Sequence, residues 1–498
     1  MNNNNNNNSQ IYLYSNYCLK KYKLNKYNLT NQQEVISKFI HDASSMILEF
    51  VTTHILELIH YDLYEPCFDD CYNNLYTNYI ENSCISNILN IHKNEAIDIL
   101  YKSVLIARAL VFKFYIPKRS YKKTFIRKNS KNEPINATVK FDSLLTQITK
   151  LKNVIQPEQR TDEWYIFRNS TLTASNIWKI FLSECSQSQL ILEKCQPVNL
   201  NKFRTTNVNS PMHWGQKYEP VSVLYYEYIY NTKVTDFGCI PHADYKFIAA
   251  SPDGIICDTT SPLFGRMLEI KNVVSREING KPKMEYWVQM QLQMEVCNLD
   301  ECDFLETKFV EYTDEDEYME DANDTNNKNF RGTFLYFVKD NEPYYIYPDF
   351  KLHDIHSAEY NIWFTNQINN HKDMNFVKIV YWKLQVISCI LVLRNKKWFD
   401  IVLPYIDIFW TNLEKERDSG SYKERIKKKQ KLAYDDAKGK SDFPVEGCLI
   451  DINSITTQFN INIHTNTVID EVSTTDTDLT TDIEPNNNFI LNLQTEKL

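Results

Sequence analysis

Between Glu219 and Tyr312 the chain passes through a helical stretch, several short strand-like runs, a second helical stretch and one more strand, and that order constrains the fold more than any other feature. Glu219–Tyr230 reads as a helix. Val234–Ile240, Phe247–Ala250, Gly254–Cys257 and Arg266–Lys271 read as strands, separated by turns at Asp244-Tyr245, Pro252-Asp253-Gly254 and Ser261–Gly265. Met284–Val296 returns to helical spacing and Phe304–Tyr312 to strand. Helix, antiparallel strands, helix, strand indicates an α/β (α+β) core, a mixed central sheet flanked by helices.

Around this core, residues 1–30 are taken as a low-complexity tail and residues 31–114 as a helical accessory region. Two runs carry the helical reading: Val35, Phe39, Ile40, Met46, Ile47 and Phe50, then Ile97, Leu100, Val104, Ala107 and Val111. Residues 115–153 form an expected basic linker, solvated or in contact with a nucleic-acid backbone, and the core extends over 154–418. Within it, Thr173-Ala174-Ser175 reads as a helix cap and the acidic stretch Glu311–Asp324 as a solvated loop. Val377–Leu393 and Trp398–Leu403 read as strands, and a helix is expected to start at Pro404. A Lys-rich helix-like segment (419–440) and an acidic, disordered tail (441–498) close the chain.

The formal charge of −9 argues against a nucleic-acid partner only until it is located. Residues 441–498 hold ten carboxylates and one lysine, so they account for all of it, whereas residues 100–133 hold ten Lys/Arg and one Glu. The twelve cysteines lack even spacing, as expected of a reduced intracellular protein, and Cys67, Cys71 and Cys84 fall short of a four-ligand zinc pattern. No segment has the length and apolarity of a signal peptide or a membrane span, so a soluble, intracellular protein is expected.

Asp253 stands in Ser251-Pro252-Asp253-Gly254, and sixteen residues later comes Glu269-Ile270-Lys271. On a strand Glu269 and Lys271 face one side and Ile270 the other. Two carboxylates can hold Mg²⁺ or Mn²⁺, with the Ile270 carbonyl as an additional ligand, and a neighbouring lysine can orient water or stabilise developing charge. By itself the pattern also fits an exposed strand face.

Six motifs in order add to it. Glu163-Trp164-Tyr165-Ile166-Phe167-Arg168 and Leu172-Thr173-Ala174-Ser175 come first, then Trp214-Gly215-Gln216-Lys217-Tyr218-Glu219-Pro220. The Ser-Pro-Asp-Gly turn, Glu269-Ile270-Lys271 and Tyr286-Trp287-Val288-Gln289-Met290-Gln291 follow. Together they resemble the YqaJ-like viral recombinase family, phage lambda exonuclease-like proteins of the PD-(D/E)xK nuclease superfamily. Leu393–Trp398 and Phe409-Trp410 look like that family's closing strand and helix, so the resemblance runs over about residues 155–415.

The resemblance implies a restriction-endonuclease-like core, and that architecture in an Asn-rich sequence of A/T-rich coding type fits a large DNA virus of eukaryotes, with the protein in the host cytoplasm or nucleus. It implies a metal-dependent exonuclease that resects double-stranded DNA 5′ to 3′ for recombination. Asp253, Glu269, Ile270 and Glu219 would ligate metal, and Lys271 and Gln289 would serve the reaction. Arg168 and Ser175 would receive a terminal 5′-phosphate, since guanidinium binds phosphate as a fork and a helix N-terminus favours anions. Tyr286 would hold DNA or Lys271. A single-strand annealing protein is the implied partner and a trimeric ring the implied oligomer. An endonuclease with the same core and a catalytically silent DNA-binding scaffold are the competing classes.

Overall fold

The computed structural model describes residues 15–27, 30–53, 64–81, 91–114, 119–128, 141–198, 200, 207–323, 329–352 and 354–425. Residues 1–14 of the expected N-terminal tail, the acidic tail and most of the Lys-rich segment lie outside them, as do Cys84 and the Cys67 side chain. Residues 15–27 correct the reading of 1–30 as a disordered tail, because Cys18, Leu24 and Tyr27 are buried in the core of the N-terminal helices. The Cys71 thiol is buried and points at the Ala43 carbonyl, 3.8 Å away.

The helices are α1 (Thr30–Thr53), α2 (Tyr64–Tyr76), α3 (Lys93–Phe114), α4 (Phe141–Asn153), α5 (Asp162–Ser170), α6 (Ala174–Ile177), α7 (Glu184–Cys195), α8 (Pro211–Tyr230), α9 (Met284–Cys297), α10 (Glu315–Asn323), α11 (Ala358–Asn370) and α12 (Lys396–Ser419). The strands are β1 (Leu172–Thr173), β2 (Val234–Thr235), β3 (Ile240–Pro241), β4 (Ile248–Ala250), β5 (Gly254–Ile256), β6 (Met267–Asn272), β7 (Glu301–Glu311), β8 (Arg331–Lys339), β9 (Glu342–Ile346) and β10 (Asn375–Leu393). Seven strands form one mixed sheet in the order β2-β5-β6-β7-β10-β8-β9, in which β6 and β7 alone pair parallel. A helix, α9, makes the crossover that this parallel pair requires. A smaller sheet, β1-β4-β3, packs beside it. This is the mixed sheet flanked by helices expected from the sequence.

The N-terminal helical region has its own core, in which Phe39, Ala43 and Ile47 of α1 meet Ile99, Val104 and Ala107 of α3. Ile401 of α12 packs against it. In the larger core α9 is buried on nearly all sides, with Val288, Met290, Leu292 and Met294 fully covered. The helix is therefore a rigid post behind β6 rather than a surface element.

Four further readings are corrected. Glu311–Asp324 is not a loop: Glu315–Asn323 is helix, with three carboxylates in its first turn, where the dipole favours them, and Tyr318 buried as its anchor. Trp398–Leu403 is not a strand, and Pro404 does not begin the helix. Asn395 caps α12 by accepting from the Trp398 amide at 3.1 Å, and Trp398, Phe399, Val402, Ile406, Phe409 and Leu413 are buried at helical spacing. Val234–Ile240 is two short strands in different sheets. The basic segment is not a solvated linker over residues 119–128. Tyr121 and Thr124 donate their amides to Leu391 and Cys389 at 2.9 Å, along the β10 edge that β8 does not reach, and the Arg119 guanidinium lies over the Trp287 ring at 5.1 Å.

Gly254 is required by packing. A Cβ there would lie 2.1 Å from Cγ1 of Val234. Gly254→Ala is expected to lower stability by about 1–3 kcal/mol, the usual scale of overpacking, and Val234→Ala in the same chain to recover most of it. Denaturant midpoints of the wild type and the two variants check this.

Candidate active site

The site begins with the β5–β6 hairpin. Gly254 pairs with Leu268, so Asp253, the residue before β5, comes alongside Glu269. The Asp253 Oδ2 accepts the Ile270 amide at 2.7 Å, which fixes the turn to the strand. Ile270 itself is buried with Leu268, Leu305 and Tyr226 on the opposite face. The alternation read from the sequence thus puts Glu269 and Lys271 on one face, where the Lys271 ammonium bonds Glu269 Oε1.

The Glu269 carboxylate is completely buried and held from α9. Gln289 Nε2 donates to its Oε1 and Gln293 Nε2 to its Oε2, both at 2.7 Å. The two glutamines are one helical turn apart, and Tyr286 precedes them on the same face. The Tyr286 ring lies under the Lys271 ammonium at 5.2 Å and under the Arg276 guanidinium at 5.4 Å. Gln293 also donates to the Ser251 carbonyl at 3.1 Å, so one helix grips both the strand and the turn.

Charge in this cluster is unbalanced. Burial, and then the neighbouring Glu269 carboxylate, push the Asp253 pKa well above the usual carboxylate range, against the pull of Lys271. Burial works against the Lys271 ammonium, but Glu269 and Asp253 outweigh it and hold its pKa above that of a free lysine. Glu219 stands on α8 directly before Pro220, where the helix loses one backbone donor. Its Oε2 accepts from Arg160 at 3.2 Å, and burial raises its pKa while Arg160 opposes the rise.

Among the described residues no three His, Cys, Asp or Glu side chains gather closely enough to enclose a metal ion. Asp253 and Glu269, with the Ile270 carbonyl, offer a smaller set of hard oxygen donors, of the kind that binds Mg²⁺ or Mn²⁺ together with water. Burial and the neighbouring Glu269 carboxylate both disfavour a bare charge on Asp253, and a bound cation would relieve both, so the residues fit such an ion.

The second part of the site lies where Arg168, Ser175 and the turn meet. Arg168 leaves α5 and crosses the Trp164 ring at 4.4 Å. One of its terminal nitrogens donates to Ser175 Oγ at 3.0 Å and the other to Ser251 Oγ at 3.3 Å. Ser251 is two residues from Asp253, so this cluster and the carboxylates share one turn. The α6 helix behind Ser175 has only four residues, too few for its dipole to matter, so the positive character comes from side chains.

Every residue singled out in the sequence falls in this region: Arg168, Ser175, Glu219, Asp253, Glu269, Ile270, Lys271, Tyr286 and Gln289. Glu219 is the outlier, engaged with Arg160 rather than with the carboxylate pair. Ser251, Gln293, Arg276 and Glu306 were not anticipated. Glu306 neighbours Lys271 across the β6–β7 pair and bonds Arg276 through Oε1, while Oε2 has no hydrogen-bond partner. The spacing of Gln289 and Gln293 is a usable signal, whereas the serine stands out only as part of the Ser-Pro-Asp-Gly turn, with no sign of its own role.

Residues 163–300 match the family model described as the YqaJ-like viral recombinase domain. All nine residues lie inside the match, whereas the proposed closing strand and helix lie beyond it. The chain is 31% identical over 341 residues to an uncharacterised protein, R354, of Acanthamoeba polyphaga mimivirus, covering 59% of this chain and 56% of that protein. It thus spans little more than half of that relative. Among solved structures, an alkaline exonuclease from Laribacter hongkongensis is similar at 19% identity and a TM-score of 0.30, over 53% of this chain and 97% of that one. Its complex with dAMP gives 20% identity and 0.29.

Proposed function

We propose that this chain, which carries a YqaJ-like viral recombinase domain at residues 163–300, is a divalent-metal-dependent exonuclease that resects duplex DNA from 5′ ends in viral recombination. The observation that supports this most is the single turn Ser251-Pro252-Asp253. It joins a carboxylate pair suited to a metal to an arginine–serine cluster suited to a terminal phosphate. An endonuclease has use for the first of these and none for the second.

A divalent ion held by Asp253 and Glu269 would supply an acidified water and neutralise charge on the scissile phosphate. The chain's own residues do the rest. Gln289 and Gln293 fix the Glu269 carboxylate, so its oxygens do not reorganise during the reaction. Lys271 remains an ammonium beside them, which suits it to stabilise developing charge and orient water rather than to remove a proton. Tyr286 supports that ammonium from below. Arg168, with Ser175 and Ser251, offers charge-assisted bonds to a phosphate at the strand end.

The test is digestion of linear and closed circular duplexes carrying either 5′-phosphate or 5′-hydroxyl ends. The expected result is release of nucleotides from linear ends only, with phosphorylated ends favoured about ten- to hundredfold, the range that one charge-assisted hydrogen bond allows. Arg168→Ala is expected to bring phosphorylated ends down to the hydroxyl rate. Cutting of circles would favour the endonuclease, and no cutting of either the scaffold.

A further inference from the structure

Lys194 is a buried cation that the chemistry above leaves without a task. It stands at the end of α7, only 4% exposed, and its ammonium donates to the backbone carbonyl of Arg168 at 2.5 Å. That partner is neutral. The adjacent carboxylate, Glu193, is bonded to Lys179 at 3.1 Å on an exposed face and acts on Lys194 and Arg168 only through space, offsetting part of the cost of burial. The other groups around it are Arg168, which repels it, and the thiol of Cys239, which burial keeps protonated and which also touches Arg168 and Ser251. Arg417 reaches the Lys194 carbonyl at 2.9 Å and adds further positive charge. Two cations thus sit close together, Arg168 bonded to Ser175 and Ser251 and Lys194 to the Arg168 carbonyl, with no carboxylate hydrogen-bonded to either among the described residues. Proteins rarely bury charge in this way unless an opposite charge arrives.

We propose that Lys194 is the second cation of the terminal-phosphate pocket, and that it tunes the pocket to a dianionic phosphomonoester over the monoanionic diesters of the DNA backbone. The inference rests on the reading of Arg168, Ser175 and Ser251 as that pocket. One guanidinium matches one negative charge and so does not distinguish the two phosphate types; a second cation matches the additional charge that only a chain end carries. Burial lowers the Lys194 pKa to about 8, so in the free protein the ammonium loses its proton near that pH. A phosphomonoester, with its second ionisation near about pH 6, is already dianionic there. Binding of the dianion therefore draws a proton onto Lys194, and affinity for phosphorylated ends falls as pH rises through about 8.

A purely structural role is also open to Lys194, because its bond to the Arg168 carbonyl caps the last turn of α5. Lys194→Gln separates the two: its amide can still donate to that carbonyl, but it brings no charge. The readout is the ratio of affinities for otherwise identical duplexes with 5′-phosphate and 5′-hydroxyl ends, measured in EDTA between pH 7 and 9.5. Wild type is expected to show a ratio well above one that declines above pH 8. Lys194→Gln should lower the pH 7 ratio by on the order of tenfold, the scale of one partly screened charge, and flatten the profile. Lys194→Arg should keep the ratio high at every pH. A wild-type ratio of one removes the pocket itself. A ratio above one that Lys194→Gln preserves, with its pH dependence, overturns only the role of Lys194. If the glutamine variant does not fold, a flat wild-type profile overturns the role, and a falling profile that Lys194→Arg abolishes supports it.

Discussion

Asp253→Asn and Glu269→Gln are each expected to lower DNA cleavage by roughly three orders of magnitude or more, since each removes a charge at which metal binding and charge stabilisation meet. Both substitutions keep the size and much of the hydrogen bonding of the original group. Asparagine can still accept the Ile270 amide at the position of Oδ2, and a glutamine at 269 can still accept from one of Gln289 and Gln293 through its amide oxygen, while its NH2 faces the other donor. Affinity for DNA should change little, because it comes mainly from phosphate contacts elsewhere. The two variants should nevertheless differ. Glu269→Gln removes the carboxylate that bonds Lys271, leaving that ammonium with Asp253 as its nearest counter-charge, whereas Asp253→Asn relieves repulsion between the two carboxylates. Asp253→Asn should therefore be the more stable protein of the two. Single-turnover cleavage, equilibrium DNA binding and thermal unfolding of both variants provide the check. A folded Asp253→Asn protein cleaving at the wild-type rate would remove the carboxylate pair from the mechanism.

The parts of this site that could be read from the sequence are those that local periodicity determines. Alternation along β6 separates Glu269 and Lys271 from Ile270 whatever the rest of the chain does. The spacing of Tyr286, Gln289 and Gln293 puts them on one face of α9, although only the first two drew notice. The role of Ser251 within its turn is not legible because it depends on Arg168, more than eighty residues earlier, and a serine beside a proline in a turn is ordinary. Lys194 is not legible for the same reason, on a helix with no obvious pattern. The α12 error has a different origin. Proline suits a first helical turn, but the 3.6-residue spacing already begins at Trp398, and Pro404 lies within the helix. The acidic stretch was assigned by charge alone, yet one buried tyrosine is enough to dock a short helix whose first turn favours carboxylates.

Arg266→Ala is expected to destabilise the fold by about 3–5 kcal/mol, the usual cost of leaving one member of a buried ion pair alone. Arg266 is 2% exposed, just before β6, and bonds Asp303 at 3.2 Å and Glu301 at 2.8 Å, both on the neighbouring β7. Asp303 is fully buried and also accepts from Tyr226 at 2.7 Å and from Thr124 at 2.5 Å. Glu301 takes a second cation, Arg127, at 3.1 Å. One guanidinium thus ties three parts of the chain together: the β6–β7 pair, α8 through Tyr226, and the basic segment through Thr124 and Arg127. Without it Asp303 keeps two hydroxyl donors but no opposite charge in a dry setting. The partner variant Asp303→Ala should cost a similar amount, because it leaves the arginine. Replacing both, as in Arg266→Met with Asp303→Leu, should cost far less than the two single changes together, since desolvation of the charges disappears along with their attraction. Denaturant unfolding of the two single alanine variants, their double alanine combination and the apolar pair measures this coupling directly. Losses that simply add would mean that Arg266 and Asp303 act independently. The basic segment supplies a second, local readout: amides such as those of Tyr121 and Thr124, bonded to β10, should exchange faster in Arg266→Ala, while those within α9 exchange only as fast as the lowered global stability allows.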